Sequence, residues 1–203
     1  MSTNLLEQTA AAIGTDDAIL DQIMTPGTHL ALWRRTRPEP LGWIDAIAWD
    51  AIDDLDFPVP VAALDADIAE GLAEAGYRNG DETRALHHEI ASLARRFAAL
   101  MGCDMVRLRL EVVETDACRK FHADVVTARL LTTLSGRATQ WVEVAAPDRI
   151  NQLAAGDVAI FKGRLWADEP MILHRSPPIA ATGDKRLLLA IDPYDSAKEV
   201  THV

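Results

Sequence analysis

The feature that most constrains the fold is a change in hydrophobic periodicity close to Gly102. Before this glycine, apolar residues recur at three- and four-residue steps, a spacing typical of amphipathic helices. After it, apolar and polar residues alternate, which is typical of strands with one face on a core. The sequence therefore predicts helices in the first half and a sandwich or barrel of strands in the second half.

Four segments of the first half are predicted to be helical: Leu5–Met24, Leu41–Leu55, Val61–Ala75 and Asp81–Met101. The last of these has the clearest spacing of apolar residues, and Gly102 follows it as a residue suited to end a helix. Between the first two predicted helices, Thr28–Arg35 has the pattern of a short strand.

Six segments of the second half have the pattern of strands, and turn residues separate them. They are Met105–Glu114, Val125–Leu134, Thr139–Val144, Asp157–Leu165, Met171–Leu173 and Arg186–Ile191. Helices lying on one sheet would cover an apolar outer face of that sheet. We therefore predict the α+β class, with the N-terminal helices packed on a C-terminal jelly-roll barrel.

Composition narrows the classes of partner. The 203 residues carry a formal net charge of −11, which disfavours nucleic acid and anionic membranes, and 49% of them are hydrophobic. Cys103 and Cys118 have neither zinc-ribbon nor disulfide-framework spacing, which indicates a reducing compartment. The first residues lack a basic signal region, and no apolar run is long enough to span a bilayer. We expect a cytoplasmic protein with a small-molecule ligand, and the sequence leaves the oligomeric state open.

A candidate metal site lies in the segment that contains His122 and Asp124. Residues two apart in a strand point to the same side, so this imidazole and this carboxylate converge. His174 follows another strand-like segment, and a barrel could bring it alongside them. Two histidines and one carboxylate form the facial triad of non-haem Fe(II) enzymes, which leaves coordination positions open.

From about Met105 to Tyr194, order and spacing resemble the Fe(II)- and 2-oxoglutarate-dependent oxygenases, a superfamily with a cupin-like double-stranded β-helix. The segment 156–161 looks like the turn and strand before their distal histidine. Arg186 stands where these enzymes have a basic residue that binds the far carboxylate of the co-substrate, for which an arginine fork is suited. The resemblance implies Fe(II) at His122, Asp124 and His174, 2-oxoglutarate at Arg186, and oxidation of an unknown small-molecule or protein substrate.

A second resemblance covers nearly the whole chain and rests on several short motifs. These are the segments 118–124, 129–133, 139–141, 156–158, 161–163, 174–178 and 186–188. They resemble a bacterial family known as domain of unknown function 1826, and this resemblance implies no known reaction. We expect a helical N-terminal region, residues 1–103, packed on a metal-binding barrel, residues 104–203, as one structural unit.

Departures from the oxygenase pattern keep two alternatives open. Leu188 stands where many of these enzymes have Ser or Thr, and both tyrosines, Tyr77 and Tyr194, lie outside the predicted inner strands. Cys118 shares the strand parity of His122, so a thiolate could favour zinc and a role in metal handling without oxygenase chemistry. Fe(II), zinc and manganese therefore remain candidates. The other alternative is a structural module without metal.

Four further residues have two interpretations each. Arg107 and Arg109 are predicted to form a solvated strand face, and carboxylate binding is the alternative. Arg175 and Ser176 either orient His174 or begin the turn at residues 177–178.

Overall fold

The computed structural model of the protein describes residues 10–195. Within this range, ten strands and two α-helices form a mixed α/β architecture that is mostly sheet. This confirms the predicted combination of helices and strands. None of the helices in residues 10–195 is long and apolar enough to cross a membrane.

The strands come from both halves of the chain. In chain order they are β1 (Ala11–Gly14), β2 (Leu30–Trp33), β3 (Leu55–Pro60), β4 (Met105–Val113), β5 (Ala128–Ser135), β6 (Gln140–Glu143), β7 (Ala146–Gln152), β8 (Val158–Lys162), β9 (Ile172–Arg175) and β10 (Arg186–Pro193). The α-helices are α1 (Leu64–Glu74) and α2 (Asp81–Met101). Short 3-10 helices cover Asp17–Met24, Glu39–Ala46, Trp49–Ala51 and Val61–Ala63.

The strands form two sheets. The larger sheet has seven strands in the order β1-β2-β8-β5-β10-β4-β3, and the smaller has the order β7-β6-β9. In the larger sheet, β10 pairs antiparallel with both β4 and β5, and Ala190 lies opposite Arg109 on one side and Leu131 on the other. Because paired residues point to the same face, Arg109 shares the face of Ala190 and Leu131.

The two faces of the larger sheet border two different hydrophobic cores. On the outer face, Leu108 and Leu189 share a core with Ile68 of α1 and Phe97 of α2. On the inner face, Leu131, Leu188 and Ala190 share a second core with Trp141 and Ile172 of the smaller sheet. The inner face is therefore the one that looks toward the smaller sheet, as alternation along each strand requires.

The first half contains less helix than its sequence pattern predicts. Helix α2 has the predicted bounds, α1 lies within the predicted Val61–Ala75, and β2 lies within Thr28–Arg35. The predicted helix Leu41–Leu55 is wrong, because two 3-10 helices occupy it and its last residue starts β3. Leu55, the first residue of β3, pairs with Leu110 of β4, and the prolines of β3 are tolerated on such an edge strand.

The predicted helix Leu5–Met24 is also wrong over the residues that the structure describes. Residues 5–9 lie outside the described range, Ala11–Gly14 forms β1, and Asp17–Met24 is a 3-10 helix. Strand β1 pairs parallel with β2, and Asp16 caps the 3-10 helix by accepting a hydrogen bond from Ala18 N. Tertiary pairing again decides the conformation of a segment whose spacing alone indicates a helix.

The second half follows the predicted strands closely, with one addition and one shift. Strand β7 has no predicted counterpart, because its side chains are mostly exposed and polar and give no alternating pattern. Strand β5 starts at Ala128 rather than Val125, so His122 and Asp124 precede it outside the regular sheet. The boundary at residues 103 and 104 stays a prediction, although β2 and β3 pair with strands of the second half.

Gly163 holds the segment that carries Asp124 close to the end of β8. Its backbone N–H donates to Thr127 O at 2.9 Å. A Cβ at this position would overlap Val126 O and would lie 3.0 Å from Asp124 O, so a larger side chain requires the backbone to move.

We expect Gly163→Ala to lower the free energy of unfolding by about 1–3 kcal/mol, because overpacking against backbone atoms is relieved only by distortion. Chemical denaturation would measure the change. Gly42→Ala is the matched control, since a Cβ there meets no atom within 4 Å among the described residues. Equal stability of the two variants would contradict this account of Gly163.

Candidate metal centre

His122 and His174 are held together by a pair of backbone hydrogen bonds. His122 N donates to His174 O at 3.0 Å, and His174 N donates to His122 O at 2.9 Å. This isolated antiparallel bridge continues the smaller sheet beyond β9 and places both side chains on one face. The two imidazole centroids lie 4.9 Å apart.

Asp124 completes a compact group of three potential ligands. Its Oδ2 lies 3.0 Å from His174 Nε2, and its Oδ1 lies 3.5 Å from His122 Nε2. One potential ligand atom from each of the three residues lies within 4.8 Å of the other two. The structure thus brings together the three residues that the sequence predicts as ligands, and their binding of a metal stays a prediction.

The hydrogen bonds around the group suit a divalent cation. His122 Nδ1 lies 2.9 Å from Lys120 O, and a carbonyl can only accept, so Nδ1 carries the proton and Nε2 keeps a lone pair. Asp124 Oδ2 is buried and has no hydrogen bond within the described part of the chain, because its contact with His174 lacks hydrogen-bond geometry. A buried carboxylate oxygen without a donor is costly, and a metal ion would satisfy it.

The protonation of the three side chains reflects their burial. Burial lowers the pKa of His174, whose side chain is 7% exposed, and thereby favours the neutral imidazole that a metal requires. The neighbouring Asp124 raises the pKa of His122. Burial raises the pKa of Asp124, but His122, His174 and Arg129 outweigh burial and hold that pKa well below its usual range.

Arg129 binds the side of Asp124 that faces away from His174. Its Nη1 lies 2.6 Å from Asp124 Oδ1, while its Nε and Nη2 donate to the two oxygens of Asp192 at 2.6 and 2.7 Å. Asp192 therefore orients the planar guanidinium of Arg129 through a bidentate ion pair, and the guanidinium in turn holds one oxygen of Asp124. This leaves Oδ2 as the oxygen directed toward His174, while Oδ1 lies between Arg129 and His122.

Arg186 is the largest fully buried side chain among residues 10–195, with 1% exposure. Its Nη2 donates to Ser176 Oγ at 2.7 Å and its Nη1 to Arg137 O at 3.4 Å, while its buried Nε lacks a partner in the described chain. No carboxylate of residues 10–195 forms an ion pair with it. Desolvation lowers its pKa to about 10.

Arg186 and the three potential ligands line one cavity of about 90 Å³. Arg109, Glu111, Cys118, Arg129, Thr139 and Ser176 also line it. The cavity therefore combines a candidate metal centre with a buried cation that has no anionic partner. Such an arrangement can hold a ligand that reaches from the metal to the guanidinium through a carboxylate.

The remaining predicted positions have distinct places. Ser176 contacts Arg186 rather than His174, whereas Arg175 donates to Gln140 Oε1 at 2.9 Å and stacks over the Phe121 ring. Cys118 lines the cavity but is not one of the three clustered potential ligands. The solvated face predicted for Arg109 is wrong in part, because Arg109 lines the cavity.

Sequence reasoning missed the role of Arg129. A signal was present, because Arg129 is the one charged residue of β5 and shares its parity with the inward residue Leu131. Its partner Asp192 is 63 positions away in the sequence, and no local pattern links two such residues.

The chain belongs to the family described as Protein of unknown function (DUF1826), whose model matches residues 14–192. This confirms the family resemblance that the sequence motifs indicate. No curated protein matches the chain in sequence.

Several solved structures are similar to the chain at low identity. The dioxygenase for auxin oxidation from rice is 12% identical, with a TM-score of 0.42, over 77% of this chain and 63% of the rice chain. Dioxygenase for auxin oxidation 1 from Arabidopsis thaliana, in a complex with 2-oxoglutarate, is 11% identical with a TM-score of 0.48 over 90% and 91%. A prolyl-4-hydroxylase from Pseudomonas putida is 14% identical with a TM-score of 0.46 over 86% and 96%. Values this low describe a partial likeness and define no activity.

We expect the purified protein to bind one divalent ion per chain, and Asp124→Asn and His174→Ala to weaken that binding at least about 100-fold. Each variant removes one of the few atoms that can donate to the ion. Isothermal titration with Mn(II), together with elemental analysis, would measure the effect. His88→Ala is a matched control on the exposed side of α2. Equal metal content in all four proteins would contradict the site.

Arg129→Gln should lower the free energy of unfolding of the metal-free protein by about 3 kcal/mol, because the buried Asp192 then loses its bidentate arginine partner. The double variant Arg129→Gln/Asp192→Asn should lose less than the two single variants added together. Denaturation in the presence of a chelator would measure this cycle. The exposed pair of Arg95 and Asp65 provides the control cycle, in which little coupling is expected. If the losses in unfolding free energy of the two single variants simply add in the double variant, Arg129 and Asp192 are not energetically coupled, and this account of the ion pair is wrong.

Proposed function

We propose that this protein is an Fe(II)- and 2-oxoglutarate-dependent oxygenase with a jelly-roll barrel on which the N-terminal helices pack. His122, Asp124 and His174 would hold the metal, and Arg186 would bind the far carboxylate of 2-oxoglutarate. The substrate would be a small molecule or a protein side chain. Bound Fe(II) would supply the redox chemistry by which 2-oxoglutarate, dioxygen and a C–H bond give succinate, carbon dioxide and a hydroxylated product.

The observation that carries this proposal is the buried, unpaired charge of Arg186 in the same cavity as the three potential ligands. Burying a cation without an anion is unfavourable, and proteins normally pair such a group. A ligand carboxylate would supply the missing anion through two parallel hydrogen bonds, one of them to the Nε that lacks a partner in residues 10–195.

Ser176 compensates for one departure from the oxygenase sequence pattern. The hydroxyl expected two residues after the arginine is missing, since that residue is Leu188, but Ser176 Oγ already accepts a hydrogen bond from Arg186. It can also donate its own proton to a bound carboxylate. Ser176 reaches this position from the end of β9, next to His174, so one short segment serves both the metal and the anchor.

The order of strands supports the jelly-roll interpretation. The larger sheet places β10 between β4 and β5, and the smaller sheet is extended by the His122–His174 bridge. When the bridged segment at His122 is counted with the smaller sheet, the second half of the chain changes sheet at every step except from β6 to β7, a pattern consistent with two interlocked Greek keys. The candidate ligands then lie where the segment before β5 is bridged to β9.

Anaerobic protein with Fe(II) is expected to develop a visible charge-transfer absorption band with 2-oxoglutarate and to release succinate once air is admitted. Arg186→Gln should raise the Kd for 2-oxoglutarate about 30-fold or more, because the co-substrate carboxylate loses a buried charged partner. Arg186→Lys should give an intermediate Kd, since lysine keeps the charge but has no fork.

The control for this experiment is Arg95→Gln, which removes an exposed arginine on α2. The Mn(II) affinity of Arg186→Gln should stay near that of the unaltered protein, because Arg186 is not a proposed ligand. Absence of 2-oxoglutarate binding at millimolar concentration in the unaltered protein would refute the oxygenase function while leaving the metal site intact.

A zinc-binding role without oxygenase chemistry is the second candidate, because Cys118 lines the cavity. In that case zinc should copurify in stoichiometric amounts, and Cys118→Ala should weaken its binding. Under the oxygenase proposal, Cys118→Ala leaves the affinity for Mn(II) unchanged, so this one variant separates the two candidates.

A further inference from the structure

A second cavity, of about 280 Å³, adjoins the metal cavity. The two cavities share Arg109 and Arg129 in their linings. The other residues that line the second cavity are Asp56, Arg107, Val126, Asp192, Pro193 and Tyr194. A molecule bound there would border the candidate metal centre, because the two shared arginines separate the cavities.

Two of the three arginines in this second cavity are already matched by carboxylates. Arg107 Nε and Nη2 donate to the two oxygens of Asp56 at 2.6 and 2.9 Å. Arg129 makes the equivalent fork to Asp192 at 2.6 and 2.7 Å. Each of these guanidinium groups is thus neutralised by an aspartate in bidentate geometry, the strongest form of this interaction.

Arg109 is the third arginine, and its contacts are much looser. Its Nη2 donates to Asp192 Oδ2 at 3.3 Å, and its Nη1 lies 3.6 Å from Glu111, beyond hydrogen-bonding distance. Its Nε is buried and makes no hydrogen bond in the part of the chain that the structure describes. A guanidinium has five N–H donors, so most of those of Arg109 are available for another acceptor.

We propose that Arg109 binds a carboxylate of the primary substrate, and that the oxygenase therefore acts on a small carboxylic acid held in the second cavity. That the bound acid is oxidised rests on the proposed function, whereas the binding of its carboxylate at Arg109 does not. Arg109 lacks the bidentate aspartate that Arg107 and Arg129 have, because only Asp192 at 3.3 Å and Glu111 at 3.6 Å approach it. A carboxylate adds one negative charge beside these two acids, whereas a phosphate monoester would add a second one.

The position of Arg109 also separates this site from the anchor of the co-substrate. Arg109 lies opposite Ala190 in the pairing of β4 with β10, whereas Arg186 lies opposite Val113 at the other end of the same pairing. The two arginines share the inner face four residues apart along each strand. Two anionic groups can therefore be bound at once, one at each arginine.

The test uses the full-length protein loaded with Mn(II), without iron and therefore without turnover. N-acetylglycine and phenylacetate are titrated against it, beside their neutral amides and phenyl phosphate, with ligand-observed NMR as the readout. We expect both carboxylates to bind, both amides to bind at least about tenfold more weakly, and Arg109→Gln to weaken carboxylate binding by about tenfold or more. Arg109→Lys should recover part of the affinity, and Arg95→Gln should change nothing.

Parallel titrations with 2-oxoglutarate distinguish this inference from the proposed function. Arg186→Gln should lose 2-oxoglutarate and keep the carboxylate probes, whereas Arg109→Gln should do the reverse. Thermal denaturation establishes that each variant is folded, and Arg109→Lys replaces Arg109→Gln if the latter is not. If 2-oxoglutarate fails to bind while Arg109-dependent carboxylate binding persists, only the oxygenase function falls. Equal binding of acids and amides, tighter binding of phenyl phosphate, or loss of the probes with Arg186→Gln alone would overturn the inference.

Discussion

The backbone hydrogen bonds between His122 and His174 are the interaction on which the candidate site depends. They fasten a segment that lies outside the regular strands to the end of β9, and they set the direction of both imidazoles. Two neighbours then hold Asp124. Gly163 lies against its backbone, and Arg129 Nη1 binds its side chain. A three-residue segment without strand structure thereby acquires the precision that a metal site requires.

The side chains around the two adjoining cavities contrast with the charge of the whole chain. The protein has a net charge of −11, yet four arginines line the two adjoining cavities. Arg107 and Arg129 are neutralised by aspartates, whereas Arg186 and Arg109 each have an Nε donor without a hydrogen-bond partner in residues 10–195. An acidic exterior around such an interior excludes large polyanions and still admits a small anion, because the local field of a buried arginine outweighs a distant, screened surface.

The sequence predicts the parts of this molecule that depend on periodicity. Helix α2 and all six strands predicted in the second half follow from apolar spacing, because each buries apolar side chains against a core. The helices expected at Leu5–Met24 and Leu41–Leu55 fail, since Ala11–Gly14 pairs with β2 in the first segment and two 3-10 helices stand in place of one α-helix in the second. Strand β7 carries no apolar face, and its place at the end of the smaller sheet leaves no trace in its composition.

The residues of the candidate site also differ in whether the sequence alone predicts them. His122, Asp124 and His174 were accessible to sequence reasoning because their residue types and order are informative, and Arg186 because of its distance from His174. The partnership of Arg129 with Asp192, and the looseness of Arg109, arise only when β4, β5 and β10 lie side by side. Such contacts depend on which strands become neighbours, and no local sequence pattern identifies the partner of a strand that is distant in the chain.

Both edges of the larger sheet are supplied by the first sixty residues: β1 and β2 close one side over β8, and β3 closes the other over β4. A fragment starting at residue 104 would expose the main-chain donors and acceptors of β4 and β8 along their full length. Unprotected edges of that kind pair with other chains, so the shortened protein would aggregate rather than remain monomeric. Strands β1, β2 and β3 thus protect the edges of the larger sheet, and any shortened version of this protein has to keep them.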